Sequence, residues 1–332
     1  MTLPPMVRWL LWPVSVLYGG IARLRARFYA LGIFKAKRLK TPVISVGNLT
    51  TGGTGKTPMV IWLAERFLAE GKRVGILSRG YKGDGGTSDE IKLMKQRLNA
   101  RVLFGVGPNR YQQGLRLEKS VDLFLLDDGY QHLQLARDVN ILLMDAVRPL
   151  GNESLLPSGI LREPVSVMAR ADILVFTRTE TSPGTGAAIE KLTGYPVFSA
   201  ATRLLGFRRL GGGVQLLSAE EIGAGPFYAF CGIGNPRAFF LDLKNWGIAV
   251  SASCEFADHH LYDDRDVREL TAAAREAGAR ALLTTEKDAQ NLEGVHLPEM
   301  QVYVAVIELA VSKEEAFLAA IRERLEARNA VT

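Results

Sequence analysis

A glycine-rich stretch between Thr50 and Thr57 contains the residue types that bind the phosphates of a nucleotide. It directly follows the apolar run 42–46, so we expect a buried strand to end here and a helix to begin near Thr57. Glycines let the backbone wrap around an anion with N–H groups pointing inward, and the start of the helix adds positive potential. Lys56 is expected to place its charge on the β- and γ-phosphates, and the Thr57 hydroxyl is the expected Mg²⁺ ligand. The predicted nucleotide-binding residues are Thr50, Thr51, Gly52, Gly53, Thr54, Gly55, Lys56 and Thr57.

This loop departs from the usual pattern G-x-x-x-x-G-K-[ST] at one position, because Thr50 stands where the first glycine is expected. A second anchor supports the nucleotide interpretation: the apolar run 121–126 leads into Asp127 and Asp128. Carboxylates at the end of such a strand reach Mg²⁺ directly or through water, although they also occur there as plain surface groups. His132 follows, where it either contacts phosphate or caps the loop.

The first forty residues contain no acid, and they include an uncharged apolar run from Trp9 to Ala22. This run is shorter than the ~20 residues that a membrane-spanning helix needs, and Pro13 and Gly19-Gly20 interrupt it. Tryptophan and tyrosine beside arginines suit a helix lying in the anionic interface of a membrane. A plain packing helix is the alternative, and a signal peptide is disfavoured because no clear cleavage site is present. The basic residues of the segment are Arg8, Arg23, Arg25, Arg27, Lys35, Lys37, Arg38 and Lys40.

The composition is that of a globular protein with room for two domains, with 332 residues, 47% hydrophobic and 23% charged. Cys231 and Cys254 fit no metal-ligand spacing, which favours a reduced, cytosol-facing protein. Apolar runs rich in β-branched residues alternate with helix-like segments, and this alternation predicts parallel sheets covered on both faces. The predicted strands are 42–47, 73–78, 101–105, 121–126, 139–145, 172–177, 195–200, 227–231, 248–254, 281–285 and 301–307. The predicted helices are 57–70, 108–118, 236–246, 264–278 and 312–327.

The predicted fold class is therefore α/β, with a P-loop NTPase-like parallel sheet domain, a second, smaller α/β domain and an N-terminal membrane-associated helix. We expect a membrane-surface helical segment at 1–40, the nucleotide-binding domain at 41–206 and the second domain at 207–332. The turn-rich stretch 206–213 marks the approximate boundary between the last two.

Seven motifs beyond the loop narrow the class of phosphate-loop protein. They are Ser78–Gly83, Asp89-Glu90, Asp127–His132, Leu156–Pro164, Gly232–Pro236, Phe256–His260 and Thr284–Asp288. Together, and in this order, they resemble the tetraacyldisaccharide 4′-kinase family, from the N-terminal apolar segment to the last of these motifs.

The resemblance implies a reaction in lipid A biosynthesis. The γ-phosphate of ATP, with Mg²⁺, would pass to the 4′-hydroxyl of a tetraacylated glucosamine disaccharide 1-phosphate lipid. It also implies a protein at the cytoplasmic face of the bacterial inner membrane, which agrees with the independent interpretation of residues 1–40. A four-chain lipid does not leave the bilayer, so the site must be held at the membrane surface.

The resemblance also implies site residues: Asp89 occupies the family's base position, His259 is the histidine that assists it, and both act with Lys56. The chemistry is sound, because an alcohol is a poor nucleophile whose proton needs an acceptor, and an imidazole orients a carboxylate. Since Asp89 and His259 lie in different predicted halves, we expect the reaction in a cleft that both halves close.

Other roles for these residues remain open. Asp89 follows Ser88 before an apolar run and so suits a helix N-cap or first turn, and its flanks differ from the Gly-Asp-Glu-Pro more usual in the family. Asp258 or His260 could exchange roles with His259.

Four further places have less specific interpretations. Arg79 and Arg162 either grip phosphate or form ordinary ion pairs, Gly232–Pro236 is an anion-facing helix start or a tight turn, and Lys287 has no assigned role.

Two other P-loop classes share this loop. Partition-type ATPases carry an extra lysine where this chain has Thr51, and their membrane helix is usually C-terminal. Amide ligases of the dethiobiotin-synthetase type give no reason for a basic, apolar N-terminus. Nucleic acid is not an expected partner, because the basic residues cluster beside the apolar segment instead of along an aromatic-studded sheet. No obligate protein partner is evident.

Overall fold

The computed structural model describes residues 4–80, 88–151, 153–180, 196–213, 215–296 and 299–329. The end of the Ser78–Gly83 motif, from residue 81 onward, and Thr87 before Asp89 lie outside the described residues.

The chain forms two compact units. The first unit takes in Met1–Thr87, Arg97–Ala201 and Leu309–Thr332, and the second unit takes in Ser88–Gln96 and Thr202–Glu308. The two units are not continuous in sequence, which differs from the predicted boundaries. Residues 88–96 lie within the predicted nucleotide-binding domain but belong to the second unit. The C-terminal segment Leu309–Thr332 lies within the predicted second domain but belongs to the first unit.

The C-terminal helix belongs to the first unit because of its packing there. Phe317 is fully buried, with its ring 5.7 Å from that of Trp62 and 5.0 Å from that of Phe198. Arg66 adds an ion pair to Glu314 at 2.6 Å. The sequence did not predict that the C-terminal helix packs on the first unit.

The first unit is built on a parallel sheet with strand order β3-β2-β4-β1-β5-β6-β7. Its strands are β1 (Val43–Asn48), β2 (Val74–Ser78), β3 (Val102–Val106), β4 (Leu123–Asp127), β5 (Val139–Asp145), β6 (Ile173–Thr177) and β7 (Val197–Arg209), the last of which continues into the second unit. Its helices are α1 (Pro5–Ala30), α2 (Lys56–Ala69), α4 (Arg110–Leu117) and α9 (Glu314–Asn329). Every residue of β1, β4 and β5 is buried, as expected for parallel strands covered on both faces.

The register of this sheet sets two functional segments beside each other. Val46 of β1 pairs with Asp127 at the end of β4. Because parallel strands end at the same edge, the loop that follows β1 and the acids that follow β4 emerge together.

The second unit has its own parallel strands, in the order β11-β10-β8-β9. They are β8 (Phe227–Cys231), β9 (Val250–Glu255), β10 (Ala281–Thr285) and β11 (Val302–Val311). The helices are α3 (Asp89–Leu98), α5 (Ala219–Ile222), α6 (Pro236–Asn245), α7 (Asp264–Glu276) and α8 (Glu286–Asn291). A buried cluster that includes Phe207, Phe227 and Phe239 lies on one face of these strands, and another that includes Phe230 and Tyr262 lies on the other.

The structure confirms the predicted α/β class, with a parallel sheet in each unit and a helix at the N-terminus, whose membrane association stays a prediction. It places each of the eleven predicted strands within a few residues of the expected position. The longest difference is β7, which was expected to end at 200 and extends to Arg209. Among the described residues, no helix combines the length and apolarity that crossing a bilayer requires.

Candidate functional site

The phosphate-binding loop joins β1 to α2 at the carboxyl edge of the first unit's sheet. Gly55 is the N-cap residue of α2 and has a φ of +80°, the left-handed region that favours glycine. Beside it, the buried Thr54 accepts a hydrogen bond through its carbonyl from Thr177 Oγ1 at 3.2 Å. The loop therefore ends at the helix N-terminus, where unpaired N–H groups favour an anion.

Thr50 replaces the usual glycine without difficulty, because the backbone is extended here. Thr50 forms an antiparallel bridge with Leu161, and the N–H of Thr51 donates to the carbonyl of Ile160 at 2.7 Å. A β-branched residue suits this kind of pairing. The departure from the loop pattern thus has a local structural cause.

Asp128 is the residue on which two cations converge. Lys56 Nζ lies 3.8 Å from Asp128 Oδ1, and Arg162 Nη1 donates to both carboxylate oxygens at 2.9 and 2.8 Å. Burial opposes ionisation, but the charges of Lys56 and Arg162 hold the pKa of Asp128 below its ordinary value. Asp128 also has a φ of +47°, which is uncommon for a residue other than glycine.

The donor set at this edge fits a magnesium ion. Thr57, Asp127 and Asp128 offer hydroxyl and carboxylate oxygens, the hard ligands that Mg²⁺ prefers. Asp127 is buried, and Ser78 Oγ donates to its Oδ2 at 3.0 Å, which fixes the orientation of the carboxylate. The three predicted metal ligands therefore have the right chemistry, and their assignment stays a prediction.

Positive charge continues around these acids. Arg110 is 7% exposed, and its pKa is lowered by burial and by the charge of Arg79. Burial, together with Arg110 and Arg137, lowers the pKa of His132 to about 4, so its ring is neutral at pH 7. His132 closes the turn after Asp128 through its backbone, since its N–H donates to the carbonyl of Gly129 at 2.9 Å. Arg110 therefore adds positive charge close to Asp127 and Asp128, and positive charge favours an anionic ligand.

Residues 154–162, called here the 154–162 segment, connect α1 to this region. The hydroxyl of Ser15 in α1 donates to Ser158 Oγ at 2.8 Å and accepts from the backbone N–H of Ser158 at 2.9 Å. Tyr18 donates to the carbonyl of Arg162 at 2.8 Å. At Gly19, a Cβ would lie 2.4 Å from Leu155 Cδ1, so the Leu155 side chain packs directly against the helix backbone here.

Asp89 and His259 form a direct pair. His259 Nδ1 lies 3.0 and 2.9 Å from the two carboxylate oxygens of Asp89. The Asp89 side chain is 3% exposed, whereas the His259 side chain is 40% exposed. Burial opposes ionisation of Asp89, but the hydrogen bond with His259 and the charge of Lys287 lower the pKa of Asp89 below its ordinary value. The hydrogen bond with Asp89 raises the pKa of His259, against the effect of its burial.

The expectation that Asp89 and His259 lie in different halves is wrong. Asp89 begins α3, and the segment Ser88–Gln96 belongs to the second unit together with His259. Gln96 accepts from Gln290, and Lys92 pairs with Glu293. These contacts attach the segment to the second unit, so the pair forms within one unit. Asp89 is also the first residue of α3, as the interpretation of it as a first-turn acid predicts. It therefore begins the helix and pairs with His259 at the same time.

A buried carboxylate fixes the loop that bears His259. Asp288 is fully buried and accepts from the N–H of Gly232 at 2.7 Å, from Tyr262 at 2.8 Å and from Thr285 at 2.6 Å. The N–H of His259 in turn donates to the carbonyl of Gly232 at 3.0 Å. His259 has a φ of +61°, so this network holds the residue in a conformation that it seldom adopts alone.

His260 does not exchange roles with His259. Its Nε2 lies 2.7 Å from Asp266 Oδ2, and its ring stacks on Phe256 with centroids 4.6 Å apart. Asp258 instead faces the ammonium of Lys287, at 3.0 Å. The structure therefore selects His259 as the partner of Asp89.

Asp89, Glu90 and His259 also place one ligand atom each within 4.8 Å of one another, as a metal site would. However, Lys287 Nζ lies 3.7 Å from both carboxylates. A cation of the protein itself therefore lies against this cluster, as Lys56 and Arg162 lie against Asp128. The residues after β1 and β4 offer oxygen donors only, which Mg²⁺ prefers to a set that includes an imidazole nitrogen.

Sequence reasoning missed several residues that support the site. Ser15 and Ser158 lie 143 positions apart, and Thr177 supports Thr54 from 123 positions away. No local pattern predicts such contacts. The sequence assigns no role to Lys287, because its four neighbours come from two segments that are distant from it in the chain, Asp89-Glu90 and Asp258-His259.

Comparisons with known proteins agree with this geometry. The family profile described as LpxK: Tetraacyldisaccharide-1-P 4′-kinase matches residues 7–326. Relatives named tetraacyldisaccharide 4′-kinase from Geobacter metallireducens and Geobacter sulfurreducens are each 42% identical. They are matched over 90% and 89% of this chain and over 92% and 87% of their own.

A solved structure extends the likeness to three dimensions. The "apo" form of LpxK from Aquifex aeolicus in complex with ATP superposes with a TM-score of 0.76 at 35% identity, covering 96% of this chain and 99% of that one. The resemblance inferred from the seven motifs is confirmed. The chain belongs to the tetraacyldisaccharide-1-phosphate 4′-kinase family.

Proposed function

We propose that this protein transfers the γ-phosphoryl group of ATP to the 4′-hydroxyl of a tetraacylated glucosamine disaccharide 1-phosphate lipid, at the cytoplasmic face of the bacterial inner membrane. The observation that carries the proposal is the phosphate-binding loop with Lys56 against Asp128, in a chain of this family. The Aquifex relative was solved in complex with ATP, which supports ATP as the donor here.

The first unit supplies charge and position to the nucleotide. Phosphoryl transfer depends on neutralising the charge of the transferred group more than on covalent chemistry. The loop amides and Lys56 hold the β- and γ-phosphates, while Thr57, Asp127 and Asp128 would hold Mg²⁺. The ion, when bound, neutralises phosphate charge. Arg162, now paired with Asp128, is a further cation for the terminal phosphate.

The second unit supplies the proton acceptor. As the 4′-oxygen bonds to the γ-phosphorus, the bond from that phosphorus to ADP breaks, and the hydroxyl proton passes to the Asp89–His259 pair. The pair holds its geometry through the contact of His259 Nδ1 with both oxygens of Asp89. An acceptor of this kind typically contributes about 10²–10⁴-fold to the rate.

Helix α1 has the surface expected of a membrane-binding element. Its small residues Ser15 and Gly19 face the protein and are buried, whereas large apolar residues face outward. The exposed fractions are 84% for Met6, 86% for Trp9, 79% for Leu10, 63% for Trp12, 66% for Leu17 and 60% for Ile21. A contiguous apolar surface of this kind on a folded protein marks an interaction site. The exposed Arg23, Arg25 and Arg27 that follow favour an anionic lipid surface as the partner.

Removing this apolar surface should weaken membrane binding without unfolding the protein. The variant Trp9→Ser/Leu10→Ser/Leu17→Ser leaves Ser15, Tyr18 and Gly19 in contact with the 154–162 segment. We expect its affinity for vesicles containing anionic lipid to fall at least about tenfold, because each large apolar side chain contributes on the order of 1 kcal/mol or more when buried. Vesicle flotation measures the effect.

The matched control for this variant replaces exposed leucines outside α1, as Leu103→Ser/Leu115→Ser/Leu216→Ser. It should bind vesicles like the unmodified protein. If the α1 variant floats with vesicles as completely as the control does, the membrane-binding surface lies elsewhere.

The proposed reaction is tested by mass spectrometry of the product formed from the purified disaccharide lipid and ATP. We expect a mass gain of one phosphoryl group and equimolar ADP. The 4′-position is established by digestion or NMR. ATP hydrolysis that is unaffected by the lipid and yields only inorganic phosphate would contradict the assignment.

A further inference from the structure

Lys287 lies in the middle of a cluster of charged residues in the second unit, formed by Asp89, Glu90, Asp258 and His259. It is the second residue of α8, and its side chain is 19% exposed. Its ammonium lies 3.0 Å from Asp258, 3.7 Å from both Glu90 and Asp89, and 3.5 Å from His259 Nε2. A lysine in the first turn also faces the positive end of its own helix, so the helix itself does not favour this placement.

The two ring nitrogens of His259 have different nearest charged groups. Nδ1 lies against the carboxylate of Asp89. The nearest charged group to Nε2 is the ammonium of Lys287 at 3.5 Å, with Asp258 at 3.8 Å and Glu90 at 3.9 Å. An ammonium has only hydrogen-bond donors, so it favours a bare Nε2 that accepts. The ring proton then resides on Nδ1, where it is donated to Asp89.

The charge of Lys287 also offsets the acids around the ring. Besides Asp89 at Nδ1, the imidazole has Glu90 at 3.9 Å and Asp258 at 3.8 Å from Nε2, and Asp288 lies beside Lys287 in the sequence and interacts electrostatically with it. Without a cation, Asp89, Glu90 and Asp258 would favour the imidazolium form, which cannot accept another proton. The Lys287 charge opposes this, because it lowers the pKa of both Asp89 and His259. Although burial lowers the pKa of Lys287, the charges of Asp89, Glu90 and Asp258 raise it above its ordinary value, so the ammonium stays protonated.

We propose that Lys287 is a positioning residue for phosphoryl transfer: its ammonium selects the His259 tautomer with the proton on Nδ1 and keeps the Asp89–His259 pair free to accept a proton. This inference rests on the proposed role of that pair. The opposite possibility is a purely structural ion pair, which would affect stability and leave the protonation of His259 unchanged.

The test compares Lys287→Met with Lys287→Arg and with the control Lys244→Met. Lys244 is exposed in the last turn of α6, so its replacement also removes one lysine charge from the second unit. For Lys287→Met we expect kcat to fall about 10–100-fold with KM for ATP unchanged. Because the ammonium lowers both pKa values, its removal should move the acid limb of the kcat/KM profile to higher pH. Lys287→Arg should restore the position of the limb, and Lys244→Met should match the unmodified enzyme.

A second readout does not depend on activity. The chain has four histidines, so the ¹⁵N ring signals of His259 are assignable by comparison with His259→Gln. We expect the neutral form of the ring to carry its proton on Nδ1 in the unmodified protein, and the imidazolium fraction at pH 7 to be larger in Lys287→Met than in the unmodified protein. Lys287→Gln, which retains a donor without charge, serves where the methionine variant unfolds.

Unchanged ¹⁵N signals and an unmoved acid limb in a folded Lys287 variant would overturn the proposal, even with reduced turnover. The outcome for Asp89→Asn separates this failure from that of the proposed function. If Asp89→Asn is inactive while Lys287→Met behaves like the unmodified enzyme, the role of the pair stands and that of Lys287 falls. If Asp89→Asn turns over normally, the pair is not the proton acceptor.

Discussion

Replacing Lys56 by methionine should reduce phosphoryl transfer by at least roughly 10²–10³-fold while the protein stays folded. The Lys56 side chain is 16% exposed and lies at the first turn of α2, where its charge joins the amides of the loop. Methionine keeps an unbranched side chain one atom shorter than lysine, and it removes the charge together with the hydrogen-bond donors of the ammonium. The helix keeps its packing, because its buried residues, from Met59 to Phe67, are unaffected.

The loss should appear in kcat more than in nucleotide affinity, because the charge of the terminal phosphate develops as the bond breaks. Single-turnover transfer from γ-labelled ATP measures the rate, and a thermal melt establishes that the fold is intact. The matched control is Lys72→Met, since Lys72 is exposed in the turn after α2. A Lys56 variant that transfers phosphate at the control's rate would disprove the loop assignment.

Replacing Asp89 by asparagine should lower kcat by about 10²–10⁴-fold and leave ATP binding unchanged. The residues assigned to the nucleotide all lie in the first unit, whereas Asp89 lies in the second. Asparagine keeps the size of the side chain and one acceptor for His259, so the change is confined to charge and basicity.

The pKa of the Asp89–His259 pair also predicts the direction in which the pH profile of kcat/KM shifts in Asp89→Asn. The Asp89–His259 pair takes up its first proton with an apparent pKa that belongs to both groups. The hydrogen bond with Asp89 raises the pKa of His259 above its ordinary value of 6.5, so the unmodified enzyme should lose kcat/KM as the pH falls through a value above 6.5. Without the carboxylate, burial and Lys287 lower the pKa of His259. The residual activity of Asp89→Asn should therefore persist to lower pH, the opposite of the shift expected for Lys287→Met.

The control for Asp89→Asn is Glu276→Gln, which neutralises an exposed acid at the end of α7. It should keep both the turnover and the pH profile of the unmodified enzyme. An Asp89→Asn enzyme with near-normal turnover and an unchanged profile would remove Asp89 from the mechanism, while Lys56 and the nucleotide site would keep their roles.

Much of the fold could be predicted because its signals are local. The run 139–145, which is apolar apart from Asn140 and Asp145, matches β5 at both ends. A strand buried on both faces needs no polar alternation. The glycine-rich stretch after an apolar strand predicts a helix from Thr57, and α2 begins one residue earlier, at Lys56. The extension of β7 to Arg209 was missed, because its later residues are mixed and only pairing defines them as a strand.

The sequence by itself determined the phosphate-binding loop, the acids after β4, the alternation of strands and helices and the family resemblance, because each depends on neighbouring residues or their order. Tertiary structure alone decided that Asp89 belongs to the same unit as His259, that Arg162 contacts Asp128, and that Lys287 faces a ring nitrogen. These contacts join residues far apart in the chain. Packing of α3, of the 154–162 segment and of α8 brings them together, and no local pattern records where such segments pack.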